Sequence, residues 1–325
     1  MKNLFYIFCF ICASFFSEAQ NTTIISEIEE PVSYATISFG NGNGLFADDL
    51  GKFHFTQKLY KDIDSLYISA IGFNDLKLAT HNLPPTITMK SSINTLDEVF
   101  LTKPKGKFKI DKIKPTVHED YYKCWLPTIE SEIAVYFPNN SNKTKRLSSL
   151  QIPIKVEAKD WDKRKRKSSK KRPFSTLFKV NFYKNNNGLP GDVLTYENIV
   201  FIANEKNDKI LEFDITENDI YMPKNGLFIS LQVLGYTDAK GKLLPNKKYQ
   251  EIKTKRGIVK VSTTFRPLLP FTDEISEKRT FVRRIFLNGG QWTLFDKQNV
   301  EKSNLLKAGL NNYGLGLNLE VYKED

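Results

Sequence analysis

The sequence predicts an all-β protein made of two β-sandwiches. Aromatic residues form 13% of the 325 residues, with 24 Phe and 14 Tyr, and such residues favour strands. Apolar and polar residues alternate with a period of two in most segments, and short turns rich in Gly, Asn and Asp separate these segments. No long stretch carries an apolar stripe of helical period, so we expect few helices. A chain of this length forms two domains more readily than one.

Residues 1–19 predict a secretory signal peptide. A short basic start precedes an apolar run from Leu4 to Phe16, and small residues, Ser17 and Ala19, occupy the positions that a signal peptidase reads before Gln20. The run is shorter than the roughly 20 residues that a transmembrane helix needs. We therefore expect an exported chain without a transmembrane span, located in the periplasm, at the outer-membrane surface or outside the cell. An uncleaved membrane anchor is the alternative.

Export leaves one cysteine, Cys124, because Cys9 and Cys12 lie in the predicted signal peptide. A single cysteine forms no internal disulfide bond. Its neighbours, Lys123 and Trp125, match no catalytic signature, so we expect an inert thiol rather than a nucleophile.

Residues 20–102 predict a small antiparallel sandwich. Ile37 and Phe39 alternate with polar residues, as on a strand with one buried face. Turns rich in Gly, Asn and Asp follow at 40–44 and 48–51. Short strands separated by such turns, about ten residues apart, are typical of small sandwiches.

Four segments of this domain stand in the order of a known module. They are Pro31–Ile37, Ala47–Phe53, Asp64–Phe73 and Leu96–Val99. On these segments, residues 20–102 resemble the carboxypeptidase regulatory-like domain found in bacterial exported proteins. The resemblance implies a seven-stranded transthyretin-like sandwich. It implies no peptidase activity, because the module accompanies catalytic domains without being one.

A basic linker is predicted at 103–129, because its first half is rich in Lys, punctuated by Pro and Gly, and poor in aliphatic residues. The alternation returns in 130–325, where we expect a second sandwich of jelly-roll type. Its alternating apolar positions include Ile133, Val135, Phe137, Phe178, Val180, Phe182, Leu227, Ile229 and Leu231.

The second domain also carries a resemblance. The segments Phe178–Tyr183, Gly188–Asp192, Asp219–Pro223 and Gly226–Leu231 are similar to those of a jelly-roll domain that recurs in bacterial exported proteins. Similar domains often bind sugars or mediate adhesion. The resemblance therefore implies carbohydrate binding, without naming the residues that would do it.

A run of basic residues is the strongest local charge signal. It holds no acid, and it accounts for most of the net charge of +11. The run is a candidate patch for a polyanion such as lipopolysaccharide or an acidic glycan, with a solvated loop as the alternative. It has no interleaved aromatic residues, so we expect no nucleic acid partner. The cations are Lys163, Arg164, Lys165, Arg166, Lys167, Lys170, Lys171 and Arg172.

Motifs for catalysis are weak. His54, His81 and His118 lie far apart and form no metal-binding pattern, so we expect no metal and no cofactor. Acids that could form a hydrolase pair are present, but nothing in the sequence singles out two of them. These acids are Glu130, Glu132, Asp214, Glu217 and Asp219.

Together these patterns predict an exported, non-catalytic binding or structural module at the bacterial cell envelope, with a carbohydrate as the candidate ligand. Two alternatives remain at this point. One is a hydrolase of envelope glycan or peptide that uses a pair of carboxylates. The other is a binder of anionic polymers that acts through the basic run at 163–172.

Overall fold

The computed structural model describes residues 21–40, 42–57, 60–92, 106–159, 170–245, 249–255, 257–287 and 290–323. In these ranges the chain is almost entirely β-structure, with one short α-helix, α1 (Asn304–Lys307). The predicted all-β fold class is therefore confirmed. None of the helices within these ranges is long and apolar enough to cross a membrane. The predicted signal peptide at 1–19 lies outside the described residues.

The first unit is a sandwich of seven strands in two sheets, as predicted. One sheet has the order β4-β1-β7 and the other β3-β2-β5-β6. Ile37 and Leu66, from the second sheet, pack on Ile24, from the first, and all three are fully buried. The strands are β1 (Asn21–Ser26), β2 (Thr36–Gly40), β3 (Asn43–Phe46), β4 (Lys52–His54), β5 (Ser65–Ser69), β6 (Leu76–Ala79) and β7 (Thr86–Met89).

The second unit contains the remaining strands and is also a sandwich. They are β8 (Phe108–Ile113), β9 (Cys124–Trp125), β10 (Ser131–Phe137), β11 (Lys145–Pro153), β12 (Ser175–Asn186), β13 (Leu189–Val193), β14 (Ile199–Asn204), β15 (Ile210–Asp214), β16 (Leu227–Tyr236), β17 (Tyr249–Thr254), β18 (Gly257–Ser262), β19 (Leu269–Thr272), β20 (Thr280–Arg284), β21 (Thr293–Leu294), β22 (Asn312–Tyr313) and β23 (Gly316–Tyr322).

Two sheets enclose the core of the second unit. The large sheet has the order β13-β12-β16-β10-β20-β21, with β14 also paired to β12, and the facing sheet has the order β15-β11-β23-β8. Phe178 and Phe182 of β12 project from the large sheet onto Leu150 and Leu317 of the facing sheet. This is the alternation that the sequence predicts, because every second residue of a strand lies on the same face.

The range 103–129 differs from the predicted linker in its described part. Phe108–Ile113 forms β8, an edge strand paired antiparallel to β23, and Cys124–Trp125 forms β9, paired to β19. The basic composition that favoured a linker fits an edge strand equally well, because Lys on an exposed edge opposes pairing with other chains. The second unit therefore begins before residue 130.

The first unit packs on the outer face of the large sheet. The rings of Phe46 and Phe286 lie 5.2 Å apart between centroids, and the Ser38 hydroxyl donates a hydrogen bond of 2.8 Å to the Phe286 carbonyl. Gly44 permits this contact, because a Cβ atom at its position would lie 2.5 Å from the Phe286 ring. Leu177 and Leu234 complete the apolar contact.

Candidate ligand-binding cleft

A cleft of about 380 Å³ lies between the two units. Clefts of this size are typical of small-molecule sites, which combine apolar walls with a few polar groups. The first unit contributes one wall, with Tyr34, Ser69 and Phe73. The outer face of the large sheet contributes the other wall, which is mainly polar: Lys179, Asn181, Tyr183, Asn198, Gln232 and Arg283.

A buried carboxylate, that of Glu132 on β10, lies on the same sheet and has no exposed surface. Its Oε1 atom accepts hydrogen bonds of 2.9 Å from the Asn181 amide and 2.9 Å from the Tyr183 hydroxyl, and another from the Ser230 hydroxyl. Its Oε2 atom accepts hydrogen bonds from Arg283. The carboxylate therefore holds neighbouring strands of the large sheet in fixed positions.

Arg283 on β20 pairs with this carboxylate through Nε at 2.7 Å and Nη2 at 2.6 Å. Burial alone would raise the pKa of Glu132, but the charge of Arg283 and the surrounding donors outweigh burial and lower the pKa. The guanidinium carbon also lies 4.5 Å from the centroid of the Trp292 ring, within range of a cation–π interaction. Glu132 is thus ionised and saturated with donors, which makes it a support rather than a proton carrier.

Lys179 on β12 is the second cation of the cleft, and only 6% of its surface is exposed. Its Nζ atom donates a hydrogen bond of 2.7 Å to the amide oxygen of Asn198. Burial lowers the pKa of Lys179 to about 8; the negative charge of Glu132 opposes this shift and the positive charge of Arg283 adds to it.

The basic run does not lie on this cleft in its described part. Its residues 163–169 fall outside the described ranges, so the predicted polyanion patch stays a prediction. Lys170, Lys171 and Arg172 are described, and they continue a backbone pairing with 157–159: the Arg172 amide donates to the Glu157 carbonyl at 2.8 Å.

The acids considered for a hydrolase pair make separate local contacts, and Glu217 is exposed on the 3-10 helix Thr216–Asn218. Glu130 pairs with Arg284 at 2.8 Å, and Asp219 pairs with Arg146 at 2.7 Å. Asp214 accepts a hydrogen bond from the Thr216 amide at 2.8 Å. These three acids have local structural roles, and no group of His, Cys, Asp and Glu in the described part of the chain has the arrangement of a metal site.

Cys124 is held as a neutral thiol. Burial raises its pKa to about 12, and the thiol donates a hydrogen bond of 3.3 Å to the Asp120 carbonyl. The nearby His118 directs its Nε2 to the Phe271 carbonyl at 2.9 Å. Cys124 therefore lacks the low pKa of a cysteine nucleophile.

Sequence reasoning missed the cleft residues, although it identified the strand that carries three of them. Lys179, Asn181 and Tyr183 alternate with the apolar residues of β12, a pattern that is typical of a strand with one solvent-facing side. The structure instead covers this side with the first unit. Arg283, on a distant segment, had no local signal at all.

Comparison with known proteins gives weak structural similarities. No protein-family model matches the chain, and no curated protein matches it either. Two solved structures are similar over 86% of this chain at 10% sequence identity: the clostridial cysteine protease Cwp84 after propeptide cleavage, and the cysteine protease and lectin-like domains of Cwp84, a surface layer associated protein of Clostridium difficile. The TM-scores are 0.33 and 0.34. The chain spans about half the length of these structures, 51% and 46% respectively.

The prediction that the chain is not an enzyme is contradicted by this comparison, because both structures are of a cysteine protease. We therefore withdraw the exclusion of catalysis. A TM-score below 0.5 assigns no reaction to this chain, and the neutral thiol of Cys124 is not arranged as a nucleophile.

Proposed function

We propose that this chain is an exported β module of the bacterial cell envelope that binds a carbohydrate in the cleft between its two units. The cleft is the observation that carries the proposal. Its polar wall presents the amides of Asn181, Asn198 and Gln232, and amides both donate and accept hydrogen bonds. Sugar hydroxyl groups do the same, so this wall matches a saccharide better than it matches an apolar ligand.

Aromatic side chains support the same ligand class. Tyr34, Phe73 and Tyr196 stand beside these amides on the lining. An aromatic ring offers an apolar face to the C–H side of a sugar ring, and a tyrosine adds a polar group at its edge. The polar wall is also preorganised, because Glu132 fixes Asn181 and Tyr183 before any ligand arrives.

The identity of the first unit is part of this proposal. Its division into sheets of three and four strands is compatible with the carboxypeptidase regulatory-like module that the sequence resembles. In the proposed function this unit closes the cleft from one side.

A glycan array followed by calorimetry tests the proposal. The purified protein should bind an envelope glycan, and Ser69→Trp should abolish binding, because Ser69 lines the cleft and an indole would occupy its volume. Ser65→Trp is the matched control, since Ser65 lies on the same strand and does not line the cleft. Absence of binding to every glycan rejects the proposed ligand class. Equal binding by the two variants places the site elsewhere.

A further inference from the structure

Two cations of the cleft wall, Lys179 and Arg283, face one buried carboxylate, that of Glu132. Glu132 and Arg283 neutralise each other through their paired contact. Lys179 is a further buried cation, and among the described residues its hydrogen-bond partner is the neutral amide of Asn198. The lining contains one carboxylate, that of Asp75, and this residue is exposed to solvent.

A buried ammonium group is costly in this setting. It loses its hydration, and an amide oxygen replaces only part of that loss because the ammonium has three N–H donors. A Met side chain of similar length would fill the same space without the cost. The lowered pKa of Lys179 reflects the same loss of hydration.

Arg283 adds unused donor capacity at the same wall. Its Nε and Nη2 atoms bond Glu132, and Nη2 also donates to the Tyr183 hydroxyl at 3.0 Å. Its Nη1 atom makes no hydrogen bond to a described residue, and Arg283 lines the cleft. A ligand anion would therefore find donors on both cations.

We propose that the ligand of this cleft is an acidic saccharide, such as a uronic or sialic acid, whose carboxylate pairs with Lys179 and takes a second hydrogen bond from Arg283. The inference rests on the carbohydrate-binding function proposed above, and it adds the charge of the ligand. The carboxylate completes the hydrogen bonding of Lys179, while the neighbouring amides and aromatic rings hold the sugar ring.

Matched acid and ester probes test this charge requirement. Galacturonic acid, glucuronic acid and N-acetylneuraminic acid would each be titrated beside its neutral methyl ester. Calorimetry is the direct measurement, and intrinsic tryptophan fluorescence is a second readout, because the Trp292 ring lies 4.5 Å from the Arg283 guanidinium. We expect at least one acid to bind about tenfold or more tightly than its ester, as a charge-assisted hydrogen bond requires.

Two variants separate Lys179 from general charge effects. Lys179→Met should remove the preference for the acid over its ester, whereas Lys179→Arg should retain part of it. Lys184→Met is the matched control, because Lys184 lies on the same strand and does not line the cleft, and it should leave the preference unchanged. Thermal unfolding of each variant would establish that it is folded.

Each outcome is decisive for the inference. Equal binding of acid and ester overturns it while leaving carbohydrate binding intact. Tighter binding of sulfated or phosphorylated sugars than of any carboxylated sugar also overturns it. Failure of all acids and esters overturns it too, and the glycan array then decides separately whether neutral saccharides bind. An acid preference that survives Lys179→Met assigns the recognition to another residue.

Discussion

Arg146 and Lys179 are both buried cations of the second unit, but their partners differ. Arg146 donates through Nε to Glu320 at 2.9 Å and through Nη1 to Asp219 at 2.7 Å. Tyr322 donates to the same Glu320 carboxylate at 2.9 Å. Lys179 has an amide oxygen instead of a carboxylate. Arg146 therefore has its counter-charges within the fold, whereas Lys179 does not.

The two cations also differ in their distance from the cleft: Lys179 lines it and Arg146 does not. Arg146 joins β11 to β23 and to the turn at Asp219, and it does not line the cleft. Lys179 lies on the wall of a cleft large enough for a small ligand. A buried charge that is paired with a counter-charge of the same chain has a structural role. One that lacks its counter-charge beside a cleft is better explained by a ligand.

The largest expected effect belongs to the carboxylate beneath the cleft. Glu132→Gln should lower the free energy of unfolding by about 3–5 kcal/mol, because it leaves Arg283 without its counter-charge. Urea unfolding would measure the change. Glu130→Gln is the control, since the neighbouring Glu130–Arg284 pair is more exposed and should contribute less than about 1 kcal/mol. Equal losses in the two variants would mean that burial does not determine how much each ion pair contributes to stability.

The cation with counter-charges in the fold should affect stability alone. Arg146→Met leaves the buried carboxylate of Glu320 without its cation, so we expect the free energy of unfolding to fall by about 3 kcal/mol. Ligand affinity measured by calorimetry at a temperature where the variant is folded should not change. A large loss of affinity would show that Arg146 and the cleft are energetically coupled, and it would contradict the distinction drawn between Arg146 and Lys179.

The cation at the cleft should behave in the opposite way. Lys179→Met should keep the free energy of unfolding or raise it by about 1 kcal/mol, because the substitution removes an incompletely solvated charge. Thermal and urea unfolding without ligand would measure this. Destabilisation by several kcal/mol would show that Lys179 has a structural role like that of Arg146.

The pH dependence of stability sharpens the same contrast. The pKa of Lys179 is about 8 in the folded chain, against its ordinary 10.5. Between these values the unfolded chain binds more protons than the folded one, so stability from this residue rises with pH. The stability of the wild-type chain relative to Lys179→Met should therefore increase as pH rises from about 8 to 10.5. A difference independent of pH would contradict the lowered pKa.

The smallest effect is expected for the basic run. Replacing 163–169 by a short Gly/Ser loop should change the free energy of unfolding by less than about 1 kcal/mol, because a segment of Lys, Arg and Ser has no apolar side chain to bury and loop length matters little. Residues 170–172 would be retained, since their backbone pairs with 157–159. Binding to heparin or another polyanion should decrease, and a sugar bound in the cleft should not be affected.

The sequence predicted the fold better than it predicted the site, for a physical reason. Alternation along one strand is a local property, so Phe178 and Phe182 were correctly placed in a core. Burial of Lys179 and Asn181 depends on the docking of another unit onto their side of the sheet. No local pattern carries that information, because polar residues on a strand look the same whether water or a domain covers them.

The sequence did not indicate which residues of the site are in contact with one another. Glu132 was one of several acids without an apparent partner, and Arg283 was not noticed. The two lie opposite each other across β10 and β20, although they are far apart in the sequence. Sheet register brings them together, and a single sequence does not contain that register. The strand β8 was missed for a related reason, since its partner β23 is near the other end of the chain.

The contact between Phe46 and Phe286 has a thermodynamic consequence for the cleft. One wall belongs to each unit, so a ligand that touches both walls binds only when the units are docked. By linkage, the ligand then adds its binding free energy to the docked state. A saturating ligand should therefore bring the thermal unfolding of the two units closer to a single transition. Ligand binding would also distinguish molecules with docked units from molecules with separated units.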